Sequence, residues 1–159
     1  MKKSFLYVVM VALLLSSVGK IVGAWKWDMG GHADSEALDP LFTPVTGRQM
    51  LVIAAVAELI TIGAVLRLGT TAKKASAILW LSLVFGTYRL GLKMVGFHGY
   101  CSCMGYWAKW ANLSKAQVNT IALSILGFMF VGSALILVSE WMGRTARVDR
   151  VQAQPVSSA

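Results

Sequence analysis

Charge is scarce in this chain. Charged residues make up 14% of its 159 residues and apolar ones 57%, whereas a soluble domain carries about 25% charged and roughly 45–50% apolar residues. The deficit argues against an ordinary water-soluble fold and points toward lipid. Acid is scarcer still: 7 Asp and Glu against 15 Lys and Arg leave a formal charge of +8. In a soluble protein that excess would suggest nucleic acid. Here no basic stripe with interleaved aromatics exists, and the cations gather at the ends of apolar runs, so nucleic-acid binding is set aside. There is no phosphate-binding glycine loop, nucleophile elbow or zinc-protease helix, and no longer internal repeat. Cysteine is limited to 2 residues, which excludes a paired Cys-x-x-Cys zinc framework.

What the chain does have is four long apolar runs. Residues 5–24, 50–68, 75–96 and 118–142 each approach the roughly 20 mostly apolar residues that a bilayer-crossing helix needs. The expected fold is an all-α membrane protein, a four-transmembrane-helix bundle forming one domain over 1–142. The polar stretch 143–159 reads as a disordered tail. Only "GTTAKK" joins the second and third runs, so these are antiparallel neighbours. The first run has the basic start and the small "VGA" triplet of a cleaved signal. Its spanning length and its Gly19-x-x-x-Gly23 spacing, suited to close helix contact, favour a retained helix.

Basic residues set the direction. Lys2, Lys3, Arg67, Lys73, Lys74, Arg144, Arg147 and Arg150 share one side. The other side holds Lys20, Lys26, Arg48, Lys109 and Lys115 among the acids Asp28, Asp34, Glu36 and Asp39. Cytoplasmic loops carry the Lys/Arg excess, so both termini are expected in the cytoplasm, with residues 25–47 and the cysteine loop outside.

That second outer loop reads "HGYCSCMGYW". Cys101 and Cys103 are one residue apart, between His98 and Met104. Closing so small a ring strains the disulfide and staples almost no chain, which argues against a structural bridge. Strained, exposed bridges are the labile or catalytic ones. Lys93, His98 and Lys109 flank the pair, and a short interfacial helix in "MGYWAKWANL" would point its positive end at Cys103; both favour a thiolate. The rival reading is a soft-metal site for copper(I) or zinc built from His98, Cys101, Cys103 and Met104. After the loop, "SKAQ" at 114–117 has the pattern of a capping box opening the fourth helix.

Two charges fall inside apolar runs. Glu58 lies about 15 Å below the outer end of the second helix and Arg89 about 12 Å below that of the third, at helical rise. Their depths match, so the two are expected to pair. The pair would either lock the bundle or relay protons beneath the loop. Ser82, Gly86, Gly127, Gly132 and Ser133 are small residues suited to close helix packing.

"YRLGL" at 88–92, the Cys-x-Cys-x-Gly of 101–105 and the "GF…GS" of the fourth helix resemble the MauE/DoxX family of bacterial redox-associated membrane proteins, over residues 48–142. The resemblance implies a four-helix inner-membrane protein with the cysteine loop on the periplasmic side. It implies exchange of reducing equivalents with a periplasmic thioredoxin-like partner. In the methylamine-utilisation branch it implies maturation of the disulfide-rich small subunit of methylamine dehydrogenase. On this reading Cys101 and Cys103 are the redox pair, His98 tunes them or shuttles a proton, and Glu58 and Arg89 lie beneath. An enzyme-like variant would hand electrons to quinone, although a second shuttle pair is lacking. A third reading is an assembly factor that only holds its partner.

Overall fold

The computed structural model describes residues 2–26, 38–96, 111 and 114–152. They form four helices: α1 (Lys2–Lys26), α2 (Gly47–Arg67), α3 (Thr71–Met94) and α4 (Lys115–Gln152). Among the described residues there is no strand, only an isolated antiparallel bridge between Leu38 and Thr46. Contact is most extensive between α1 and α2 and between α3 and α4, smaller between α2 and α3, and smallest between α1 and α4. The four helices therefore close a ring. Lys2 Nζ meets Glu140 Oε1 at 2.7 Å, which puts the start of α1 beside the far part of α4. The α2–α3 connection lies at this same end, here the turn end. The opposite, loop end carries residues 38–46, the end of α3 and the start of α4.

Each helix is long and apolar enough to cross a bilayer, over Ser4–Trp25, Gly47–Arg67, Thr71–Met94 and Ala116–Gly143. The helices outrun the apolar segments because caps, not hydrophobicity, decide where they begin. Thr46 and Gln49 form a capping box at α2, with Thr46 N–H to Gln49 Oε1 at 2.9 Å and Gln49 N–H to Thr46 Oγ1 at 3.3 Å. Thr70 Oγ1 accepts from Lys73 N–H at α3. The box expected from "SKAQ" is present, with Ser114 N–H to Gln117 Oε1 at 2.9 Å and Gln117 N–H to Ser114 Oγ at 3.3 Å. Each such cap is worth about 1 kcal/mol. At the other extreme α4 stays helical to Gln152, through residues that the sequence reading places in a disordered tail. Polarity there speaks against burial, but Arg, Ala and Gln are good helix formers and no proline interrupts before Pro155.

The bundle is apolar outside and partly polar inside. Trp80, Ile60 and Leu135 are 70%, 67% and 65% exposed, while Ser17, Lys20, Glu58, Ser82 and Ser133 are buried. Water would oppose that distribution over so large a surface; lipid accepts it, because apolar side chains match hydrocarbon and polar ones must be satisfied within the protein. The interior also divides along its axis. Val9, Leu13, Ile62, Val65, Ile78, Leu81 and Met129 make an apolar core toward the turn end. The Lys20–Glu58, Tyr88–Asp39 and Arg89–Asn119 contacts lie in the loop-end half.

Small residues set the closest approaches. Gly19 and Gly23 of α1 are buried, as their spacing predicts. A Cβ added at Gly132 would fall on the Phe5 ring, so α1 and α4 meet there only because the side chain is missing. A Cβ on Gly127 would meet nothing within 4 Å and one on Gly86 only an ordinary contact at 3.7 Å. Of the small residues singled out by sequence, Gly132, Ser82 and Ser133 face the interior, and Gly127 does not press on a neighbour.

Candidate functional site

A buried charged cluster joins Ser16 and Lys20 on α1 to Glu58 on α2. Ser16 and Lys20 are four residues apart, so one helix face carries both. Lys20 Nζ forms an ion pair with Glu58 Oε1 and donates to Ser16 Oγ at 2.8 Å. Ser16 Oγ donates to the same Glu58 oxygen at 3.0 Å. Lys20 is 3% exposed and Glu58 2%. The Lys20 ammonium also sits 5.3 Å from the centroid of the Phe85 ring on α3, within cation–π range. Glu58 Oε2, by contrast, is buried with no hydrogen-bond partner among the described residues. Three helices thus converge on one compensated charge pair with one bare carboxylate oxygen.

The geometry follows from helix direction. By rise alone Lys20 lies about 9 Å from the loop end of α1 and Glu58 about 16 Å from that of α2. Side chains tilt toward the N-terminus of their own helix. In antiparallel α1 and α2 the two tilts converge, and the long lysine stem covers the remaining depth.

Nearer the loop end, α3 anchors two further elements. Asp39 opens a tight turn in which its Oδ1 accepts from the N–H groups of Leu41 and Phe42 at 2.9 and 3.1 Å. Its Oδ2 accepts from Tyr88 Oη at 2.5 Å. Phe42 stacks on Tyr88 with ring centroids 6.4 Å apart, and Leu41 reaches into the space left by Gly91, where a Cβ would meet Leu41 Cδ1 at 2.9 Å. Residues 38–46 are thereby fastened to the end of α3. Arg89, the next residue, turns to α4: its Nη1 donates to Asn119 Oδ1 at 3.0 Å, while its Nη2 is buried without a partner among the described residues. Gly96, at φ 70°, ends α3 in the left-handed conformation that glycine adopts without strain. The chain leaves α3 there, at the loop end, five residues before Cys101.

The expected pairing of Glu58 with Arg89 is corrected: Glu58 pairs with Lys20, and Arg89 with Asn119. Matching depths is necessary for a contact but does not say which neighbour a side chain faces. Glu58 faces α1, whose contact with α2 is broad. Lys20 was the missed residue, because its closeness to the run's end assigns it to the outer loop. The signal was available as a serine and a lysine at helical spacing inside an apolar run. Tyr88 has a specific partner in Asp39. Cys101, Cys103, His98 and Met104 lie outside the described residues, as does all but Ala111 of the stretch expected to form an interfacial helix. Among the described residues no group of three His, Cys, Asp or Glu is placed to hold a metal.

The chain matches no protein-family model, and no curated protein or solved structure shows significant similarity to it.

Proposed function

We propose that this multi-pass membrane protein is a thiol–disulfide redox protein of the bacterial inner membrane, working through Cys101 and Cys103 on the periplasmic side. One observation carries the reading: the only two thiols are one residue apart, in a loop that leaves α3 at the loop end, where a strained bridge would be easily opened. The basic excess at the turn end supports a cytoplasmic location for both termini. A thioredoxin-like periplasmic protein is the partner. In each exchange two thiols of one protein become a disulfide as the disulfide of the other becomes two thiols, through a mixed disulfide. His98 tunes the pair. The MauE/DoxX resemblance suggests the setting, maturation of a disulfide-containing periplasmic protein of the methylamine-utilisation type, with quinone as terminal acceptor in an enzyme-like variant. Acid-quenched thiol trapping in intact cells tests it. The pair should shift between trapped dithiol and disulfide when cells are treated with reductant or oxidant, and a Cys101→Ser variant should accumulate a mixed disulfide. A pair locked in one state under both treatments overturns the reading.

The order His98-x-x-Cys101-x-Cys103-Met104 favours a second reading, copper or zinc handling. Stoichiometric metal after anaerobic purification, lost on changing either cysteine, would replace the first reading with this one.

A further inference from the structure

We propose that the Ser16–Lys20–Glu58 cluster is a proton-exchange site, in which Glu58 binds and releases a proton at Oε2 while Lys20 keeps its charge. The inference goes beyond the thiol reading and does not depend on the cysteines. It starts from the uneven use of the carboxylate. Oε1 takes both available donors, Lys20 and Ser16, and Oε2 takes none. A pair that serves only to lock two helices gains by satisfying both oxygens, since a half-satisfied buried charge is the costly case. A bare, buried carboxylate oxygen is the atom to which a proton adds without breaking an existing bond.

The second observation is that Lys20 does not depend on Glu58 alone. Its ammonium has the Ser16 hydroxyl at 2.8 Å and the Phe85 ring at 5.3 Å. When carboxylate plus proton becomes carboxylic acid, the cluster gains one positive charge, and that charge rests on an ammonium that retains both of those partners. From α1 the group facing Glu58 with a charge is Lys20, and the polar neutral one is Ser16. From α3 the cluster receives the Phe85 ring. On α2 itself Thr61 is occupied with the Ala57 carbonyl at 2.9 Å. Tyr88 and Arg89 are engaged with Asp39 and Asn119. Among the described residues nothing else charged faces the site, so a change in its charge falls on Glu58 or Lys20.

Infrared difference spectroscopy on the full chain in lipid nanodiscs tests this, with buffer cycled between mildly acidic and mildly alkaline pH. Glu36→Gln/Glu140→Gln leaves Glu58 as the sole glutamate, and carbon-13 labelling of glutamate then identifies its carboxyl directly. The expected result is a protonated-carboxyl carbonyl band of one group per chain, appearing on the acid side, reversing on the alkaline side and shifting in heavy water. Glu58→Gln abolishes it where that variant folds, and the labelled chain decides the matter where it does not. A Glu58 signal that stays carboxylate, or stays protonated, throughout the cycle overturns the proposal.

Discussion

Lys20 and Glu58 form an ion pair across the α1–α2 interface although their backbones lie at different depths. The contact makes the first apolar run part of the bundle, because the only described charge that faces Glu58 comes from it. Breaking one side of a buried pair leaves a bare charge, which costs about 3–5 kcal/mol, while replacing both sides with apolar groups is often neutral. Lys20→Met and Glu58→Leu should each lower the unfolding midpoint in detergent strongly, and Lys20→Met/Glu58→Leu should recover most of the loss. A double variant no better than the worse single one would show that the pair is not what couples the two helices.

Phe5 and Gly132 define a second, purely steric relationship. An alanine methyl at 132 would enter the Phe5 ring, and a ring cannot bend aside as a flexible chain does. Gly132→Ala is expected to destabilise by about 1–3 kcal/mol, the range for overpacking. Gly127→Ala, one turn earlier with open space around it, should be close to neutral. Phe5→Leu in the Gly132→Ala background should restore part of the loss. Thermal unfolding of the four proteins in one detergent compares them directly, and equal effects at 127 and 132 would contradict the assigned packing.

The Asp39–Tyr88 contact holds the loop-end segment 38–46. Tyr88→Phe removes one hydrogen bond to a carboxylate, worth about 2 kcal/mol. It leaves the Phe42–Tyr88 stacking area in place. Local opening should become easier by that amount, roughly a tenfold to hundredfold faster amide exchange at Leu41 and Phe42. Helix amides in the turn-end core, such as those of Val65 and Ile78, should be unchanged. Exchange that rises everywhere would mean that the contact stabilises the whole bundle and not this segment alone.

The sequence makes the four helices readable because length and apolarity suffice for a membrane span. It also announces the α4 start through "SKAQ", since a capping box is local chemistry. The Thr46–Gln49 box was equally local, but "TGRQ" puts a glycine at the first helical position, which masks the helix start. Partner choice was not readable. Glu58 stands out as an intramembrane acid, yet which helix it faces depends on the lateral order of the ring and on side-chain tilt. Neither leaves a trace in spacing along one run. The same holds for Asp39 and Tyr88, which are 49 residues apart and are brought together by the fold alone.

The ends of the bundle carry the last prediction. Lys2, Arg67, Lys73 and Lys74 lie at the turn end, with Arg144, Arg147 and Arg150 on the continuation of α4. Lys20, which the sequence reading credits to the opposite side, is buried in α1 and drops out of that side's count. The bias toward the turn end is therefore larger than the linear tally, and the prediction from the positive-inside rule is that this end is cytoplasmic. A membrane-impermeant maleimide applied to intact cells after mild reduction should label Cys101 and Cys103. In a Cys101→Ser/Cys103→Ser background, Arg67→Cys should be labelled only after the membrane is permeabilised, because Arg67 is exposed at the turn end. Labelling of Arg67→Cys in intact cells, with protection of the native pair, would reverse the orientation. The thiols would then face a reducing compartment, where a disulfide does not persist, and the redox reading would fall with it.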